Sequence, residues 1–324
     1  PADQRIFALF HTRTAHFPFV VHKPSADADP TGMSRLLWGD EMAGRSGQMP
    51  GVAGGTGVQG VGVSNDPNQL REAVRQAGPE GLSVWRQHYA ASIGRMDADL
   101  GVVIDVLKRT GRLEKTILVV VSDHGESLGD HDELLHGDSY FDPIVRVPLI
   151  VRVPGIRPDA QSRKALVSHV DLLPTILDLV GAVVPAGIDG VSMVSNLQDP
   201  AQQVRGTALV EGGVSWTPTE GMRGAVISPP WALLRQPLSC VPGVVEPPPG
   251  PGEPFRCLFQ LNEDPGQTRN LASEQPEVVA DLQARWDGFR AARAGKTVAR
   301  ELQLDPSFKE LLRKSGYFSA AQGR

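Results

Sequence analysis

The chain has 324 residues, with 32 Lys+Arg against 37 Asp+Glu and a formal net charge of -5. No basic excess exists to hold a nucleic-acid backbone, so a DNA- or RNA-binding protein is disfavoured. The longest apolar runs, such as Ile117 to Val121, fall far short of the ~18 residues needed to cross a bilayer, and Cys240 and Cys257 are too few for a disulfide scaffold or a four-Cys zinc site.

Residues 5–10 read as a short apolar strand that stops at a polar turn carrying His11 and His16. Residues 22–81 are rich in Pro, Gly, Ser and Asp, and read as a surface excursion or lid. The spacing of Trp85, Tyr89, Ile93, Met96, Leu100, Val103 and Leu107 predicts a helix over 83–109, with Gly111 as its cap. The β-branched run over 116–121 predicts a strand buried on both faces, as in a parallel sheet. Further strands are expected over 145–153 and 166–170. A helix is expected over 171–180, with Asp171 as N-cap and Gly181 as stop.

Beyond about residue 205 the pattern changes. Strand-like pieces over 207–211, 222–228, 231–238 and 255–261 predict a small antiparallel sheet. A helix over 276–294 and a helical tail over 305–317 follow. Cys240 and Cys257 flank a Pro-rich loop, and two free thiols or one bridge both fit. A bridge would contribute roughly 3 kcal/mol.

The chemistry concentrates in Ser122-Asp123-His124-Gly125-Glu126, where the buried strand ends. Ligand sites of open α/β sheets lie outside the carboxyl ends of strands. Adjacent Asp and His there offer a carboxylate and an imidazole to a metal, or form a solvated turn with a capping Asp. His136 lies 12 residues beyond His124 and either donates to an anionic substrate or satisfies a carbonyl. Asp123, His124, His131 and His136 form a rival zinc set, but no H-E-x-x-H or paired C-x-x-C favours it. The acidic run Asp130 to Glu133 reads as a solvated turn. The tryptophans Trp85, Trp216, Trp231 and Trp286 read as core or interface residues rather than substrate stackers.

Five blocks in order resemble the sulfatase family of the alkaline phosphatase superfamily. They are residues 89–97 (YAASIGRMD), 119–126 (VVVSDHGE), 136–150 with His136-Gly137-Asp138 and Arg146-Val147-Pro148, 167–175 (VSHVDLLPT), and 258–272 with Asn262-Glu263-Asp264-Pro265 and Asn270-Leu271-Ala272. The resemblance implies an α/β fold with a mostly parallel sheet flanked by helices, followed by a small α+β domain with an antiparallel sheet. Residues 1–204 would be the C-terminal portion of the catalytic domain, and residues 205–324 the small domain. The implied activity is metal-dependent hydrolysis of a small-molecule or glycan sulfate ester. Asp123 and His124 fall where the family places metal ligands, with Ca2+ first and Mn2+ second. His16 falls at a substrate-contacting His, and His136 where a Lys or His contacts the ester.

The family's nucleophile is a formylglycine made in a Cys/Ser-x-Pro-x-Arg motif, and no such motif occurs in this sequence. The resemblance therefore implies that the formylglycine and the paired acidic ligands belong to a missing N-terminal part, and that this chain alone is inactive. Alternatives are a phosphodiester or phosphonate hydrolase, or a phosphoglycerol or phosphoethanolamine transferase, of the same superfamily. A non-catalytic anion-binding module is the third. An exported protein is favoured over a cytoplasmic one.

Overall fold

A computed structural model describes residues 6–12, 67–136, 139–156, 163–212, 223–236, 240 and 254–293. The chain divides into two compact units at Val106/Leu107, with Leu107–Lys296 forming the second.

In the first unit, residues 6–12 have no regular structure. Ile6, Phe7, Leu9 and Phe10 are more than two-thirds exposed, so the strand expected over 5–10 is not formed. An apolar run becomes a strand only when a neighbour takes its ladder hydrogen bonds, and none of the described strands pairs with it. Helix α1 (Pro67–Arg109) starts inside the expected excursion and is broken at Gly78, whose φ of 61° precedes Pro79. Trp85 and Ser92 are buried. The helix ends as predicted. Gly111 takes a φ of 64°, and the amides of Gly111 and Arg112 return to the Lys108 and Leu107 carbonyls.

The second unit opens with β1 (Leu118–Val121), which pairs antiparallel with β4 (Leu149–Arg152). The expectation of parallel pairing at this strand is corrected. The 27-residue connection holds no long crossover helix, only the hairpin β2 (Ser127–Leu128) and β3 (Leu134–Leu135) and the short helix α2 (Asp142–Val145). A parallel pair needs a crossover of a dozen or more residues, usually a helix. The strand is also half-buried rather than covered on both faces. No strand forms over 166–170, where Ser168 and Asp171 build a capping box around a 3₁₀ turn. That turn leads into α3 (Leu172–Leu179), which stops at Gly181 with a φ of 71°. Helix α4 is Val194–Gln198.

Asp171 is fully buried. Its carboxylate accepts from the Ser168 and Val191 amides at 2.8 Å and from Nε and Nη2 of Arg205. One side chain thus ties the start of α3 to the 189–191 turn and to Arg205.

Four strands then form the expected antiparallel sheet, in the order β5 (Ala208–Glu211), β6 (Gly224–Ser228), β7 (Trp231–Gln236) and β8 (Phe255–Gln260). Alternation along each strand divides the core. Val226, Leu233 and Leu258 face Leu282 and Trp286 of α5 (Pro276–Arg293). Ala225, Ala232, Leu234, Cys257 and Phe259 face Tyr140, Phe141 and Cys240. Cys240 and Cys257 form a disulfide with a Cα separation of 5.3 Å. Phe141 of the first half of the unit therefore sits in the same core as the sheet. The expected tail over 305–317 and Trp216 lie outside the described residues. Trp85 and Trp286 are buried, as the core reading requires.

Candidate functional site

Val121 ends β1, and the next residues turn tightly. Ser122 N donates to Pro148 O at 3.4 Å, which prolongs the β1–β4 ladder by one bond. Ser122 Oγ donates to His124 O at 2.5 Å, and His124 N donates to Asp123 Oδ1 at 3.0 Å. His169, from the 3₁₀ turn before α3, sets its Nε2 at 2.8 Å from Ser122 O. Gly125 N donates to Ile144 O at 2.7 Å. A Cβ on Gly125 would lie 1.9 Å from Pro143 O. Glycine is thus required here by close backbone approach and not by a left-handed turn.

The loop presents Asp123 with its side chain 67% exposed and His124 with 36%. Asp123 Oδ2 lies 3.9 Å from His124 Nε2. His124 Nδ1 lies 2.9 Å from Gly125 O. A carbonyl only accepts, so Nδ1 donates its proton there and Nε2 is left on the side of the carboxylate. That tautomer suits metal ligation. The structure therefore brings together the two expected ligands as an adjacent carboxylate–imidazole pair. Among the described residues no three His, Cys, Asp or Glu side chains converge as a metal site.

The β2–β3 hairpin returns the chain to this point. Its register pairs Ser127 with Leu135, which sets Glu126 beside His136. His136 Nδ1 lies 3.1 Å from Glu126 Oε1, and the Glu126 side chain is only 4% exposed. The His136 ring also packs on that of His124, with centroids 4.0 Å apart and planes at 30°. Asp123, His124 and His136 are thus neighbours. His131 is used differently. It stacks on Phe141 with centroids 3.6 Å apart and planes 4° apart, so its ring serves the core beneath the hairpin. The turn over Asp130–Asp132 is as expected, but Glu133 is buried rather than solvated. His16 lies outside the described residues, and His11 is exposed.

Two contributors escaped the sequence reading. Glu126 was visible only as an acid two residues past His124, and nothing in the spacing pairs it with a His ten residues on. His169 was visible within the 167–175 block, but its bond to Ser122 depends on tertiary structure.

The Sulfatase family model matches residues 1–182. The chain is 33% identical over 204 residues to Arylsulfatase K of Gallus gallus, covering 61% of this chain and 35% of that protein. It is 27% identical over 223 residues to Delta 4,5-hexuronate-2-O-sulfatase of Bacteroides thetaiotaomicron, covering 68% and 43%. It therefore spans about a third to two-fifths of the length of these relatives. Among solved structures, the phosphonate monoester hydrolase of Silicibacter pomeroyi superposes with a TM-score of 0.52 at 25% identity, over 70% of this chain and 44% of that one. With the family model covering more than half of its residues, in agreement with the order of motifs and the α/β architecture, this chain belongs to the sulfatase family, within the alkaline phosphatase superfamily.

Proposed function

We propose that the protein hydrolyses sulfate esters with a divalent metal held in part by Asp123 and His124. The observation that carries this is the exposed Asp123 carboxylate beside His124 Nε2, with His124 Nδ1 committed to Gly125 O. The donor chemistry fits a divalent cation. A carboxylate suits Ca2+, and the imidazole nitrogen also admits Mn2+. Such an ion, when bound, supplies Lewis-acid stabilisation of charge on the ester oxygens.

The residues of this chain do the rest of the positioning. His136, which packs on His124, is the first substrate contact of this reading. His16 is the second substrate contact we propose, on the strength of the resemblance alone. Negative charge grows on the leaving oxygen in the transition state, and an N–H donor there stabilises it. The relatives named for hexuronate and aryl sulfates support a glycan or small-molecule sulfate as substrate. The end of the family match at residue 182 supports a catalytic part up to about 204, followed by a small α+β domain. The Cys240–Cys257 bridge supports an oxidising compartment, hence export. Among the described residues no helix is long and apolar enough to cross a membrane.

Both cysteines are bridged and no Cys/Ser-x-Pro-x-Arg motif is present. The 324-residue segment by itself is therefore expected to release no sulfate. The full gene product carrying it is expected to release sulfate from an aryl sulfate, and to lose this on chelation or with Asp123→Ala. Chelator-insensitive release would overturn the metal-dependent reading. The likeness to a phosphonate monoester hydrolase favours a second reading, phosphonate ester hydrolysis. A higher kcat/KM on an aryl phosphonate than on the matching sulfate would select it.

A further inference from the structure

On the reading that Asp123 and His124 help to hold a metal, we infer that Gln267 is a positioning residue for that pair, acting from the C-terminal part of the chain through helix α2. Helix α2 is a single turn, and its entry residue Phe141 supplies no side-chain cap. The amides of the turn are nevertheless all engaged. Ile144 N and Val145 N donate to Phe141 O at 2.9 and 3.1 Å, and Arg146 N donates to Asp142 O at 2.9 Å. Pro143 has no N–H to place. The remaining donor, Asp142 N, is taken by Gln267 Oε1 at 2.7 Å, from 125 residues away in the sequence. Gln267 thus does for α2 part of what a capping side chain does for other helices.

Helix α2 is in turn the seat of the ligand loop. Gly125 N donates to Ile144 O at 2.7 Å, and a Cβ on Gly125 would lie 1.9 Å from Pro143 O. The two consecutive carbonyls of α2 therefore set where Gly125 lies, and the tight turn before it carries Asp123 and His124. A displacement of α2 is passed to both side chains.

Gln267 is held in place by its own turn. Its amide donates to Asp264 O at 3.0 Å, and the Asp264 carboxylate accepts from the Thr268 and Arg269 amides at 2.8 and 2.9 Å. The residue is 1% exposed and takes a φ of 53°, a left-handed backbone that residues with a Cβ rarely adopt. An amide N–H only donates, so the oxygen of the Gln267 side chain must be the atom facing Asp142 N. Its Nε2 is then left buried, with no acceptor among the described residues. A half-satisfied buried amide on a strained backbone is unfavourable for stability. The bond to α2 is what a glutamine at this position provides in return. An apolar side chain of the same length separates the two effects: Gln267→Met removes the buried, unpaired N–H groups together with the acceptor, so stability changes little while α2 loses its tie.

The test uses the full gene product, with amide-resolved hydrogen exchange and calorimetric titration of Ca2+ and Mn2+ as readouts. In the wild type the Asp142 and Gly125 amides are expected to be protected. Gln267→Met should speed exchange at both and weaken metal binding about 2–30-fold. Leu282→Ala is the control. It opens the core on the α5 face of the sheet, lowers stability without touching α2, and should leave Gly125 exchange and the metal Kd at wild-type values. A wild-type Asp142 amide that exchanges as fast as an exposed one overturns the inference, whether or not the Gln267→Met protein folds. So does Gly125 protection that is unchanged in Gln267→Met, or that is lost equally in Leu282→Ala. Faster Gly125 exchange in Gln267→Met, in a protein whose wild type binds neither metal, supports the positioning of the loop and overturns the metal reading instead.

Discussion

Two residues carry stability consequences that their chemistry alone would not suggest. At Gly125 a methyl group would meet the Pro143 carbonyl oxygen at 1.9 Å, and the Gly125 N–Ile144 O bond fixes that approach. Gly125→Ala must push the loop off α2, at the roughly 1–3 kcal/mol typical of overpacking. The same shift would move Asp123 and His124, so any rise in Tm with added Ca2+ or Mn2+ should shrink along with the loss in urea stability. Loss of stability with an unchanged metal response would mean that the loop moves without disturbing the ligand pair. Asp171 is the second case. Its buried carboxylate accepts from two amides and the Arg205 guanidinium. Asp171→Ala strands a cation and two N–H donors, for which a cost of about 3–5 kcal/mol is expected in denaturant unfolding. Asp171 was legible in sequence as a cap, but its bond to Arg205, 34 residues away, was not. Adjacent pairs such as Asp123-His124 are readable because one turn settles their geometry. Glu126–His136 required a hairpin with positive φ at Gly129, His131, Asp132 and Leu135, and a loop of that length leaves the register across it open in the sequence.

Among elements, the sheet β5–β8 was the most legible and β1 the least. Strict alternation in β6, β7 and β8 reads correctly because both faces are covered, by α5 on one side and by Tyr140 and Phe141 on the other. An unbroken apolar run such as β1 carries no such information. Its composition does not distinguish a fully covered strand from one with Val121 exposed and Ile150 exposed on the paired strand, nor a parallel neighbour from an antiparallel one. Phe141 links the two regions. It is 1% exposed, stacks under His131 and lies 5.9 Å from the Phe259 ring. Phe141→Ala opens a cavity between the hairpin and the sheet, with an expected loss of about 3–5 kcal/mol. Replacing both cysteines by Ala acts on the same core, from the other end of β8, and should cost about 2–4 kcal/mol. Because Phe141 and Cys257 share one cluster, the combined variant should depart from additivity. Urea midpoints of the four proteins in that cycle measure the coupling, and strict additivity would place the two in separate cores.

At the scale of the whole molecule, the turn over 264–269 ties the C-terminal sheet to the segment behind the site, through Gln267 Oε1 accepting from Asp142 N at 2.7 Å. The two carboxyls at the ends of this link titrate in opposite senses. At Asp264, burial pushes upward as the largest single influence. The amides of Arg269 and Thr268 and the Thr268 hydroxyl together outweigh it, with a smaller pull from His131, and hold the carboxyl below the ordinary carboxylate range. At Asp142, burial dominates and raises the carboxyl, with the Arg146 guanidinium pulling partly back. A depressed folded pKa gives stability that is present above the ordinary carboxylate range and is lost as pH falls through the folded value. A raised one gives the reverse: its contribution is full below the ordinary value and fades as pH rises through the folded value. Asp264→Asn should therefore lower Tm at neutral pH, and the gap to the wild type should close on acidification below the ordinary range. Asp142→Asn should be at least as stable as the wild type at neutral pH and lose that advantage in acid. Thermal melts of the three proteins across the acid range read both gaps directly. Parallel Tm–pH curves for Asp264→Asn and the wild type would mean that the four hydrogen bonds to its carboxylate serve the neutral acid equally well, and that the turn is held by shape rather than by charge.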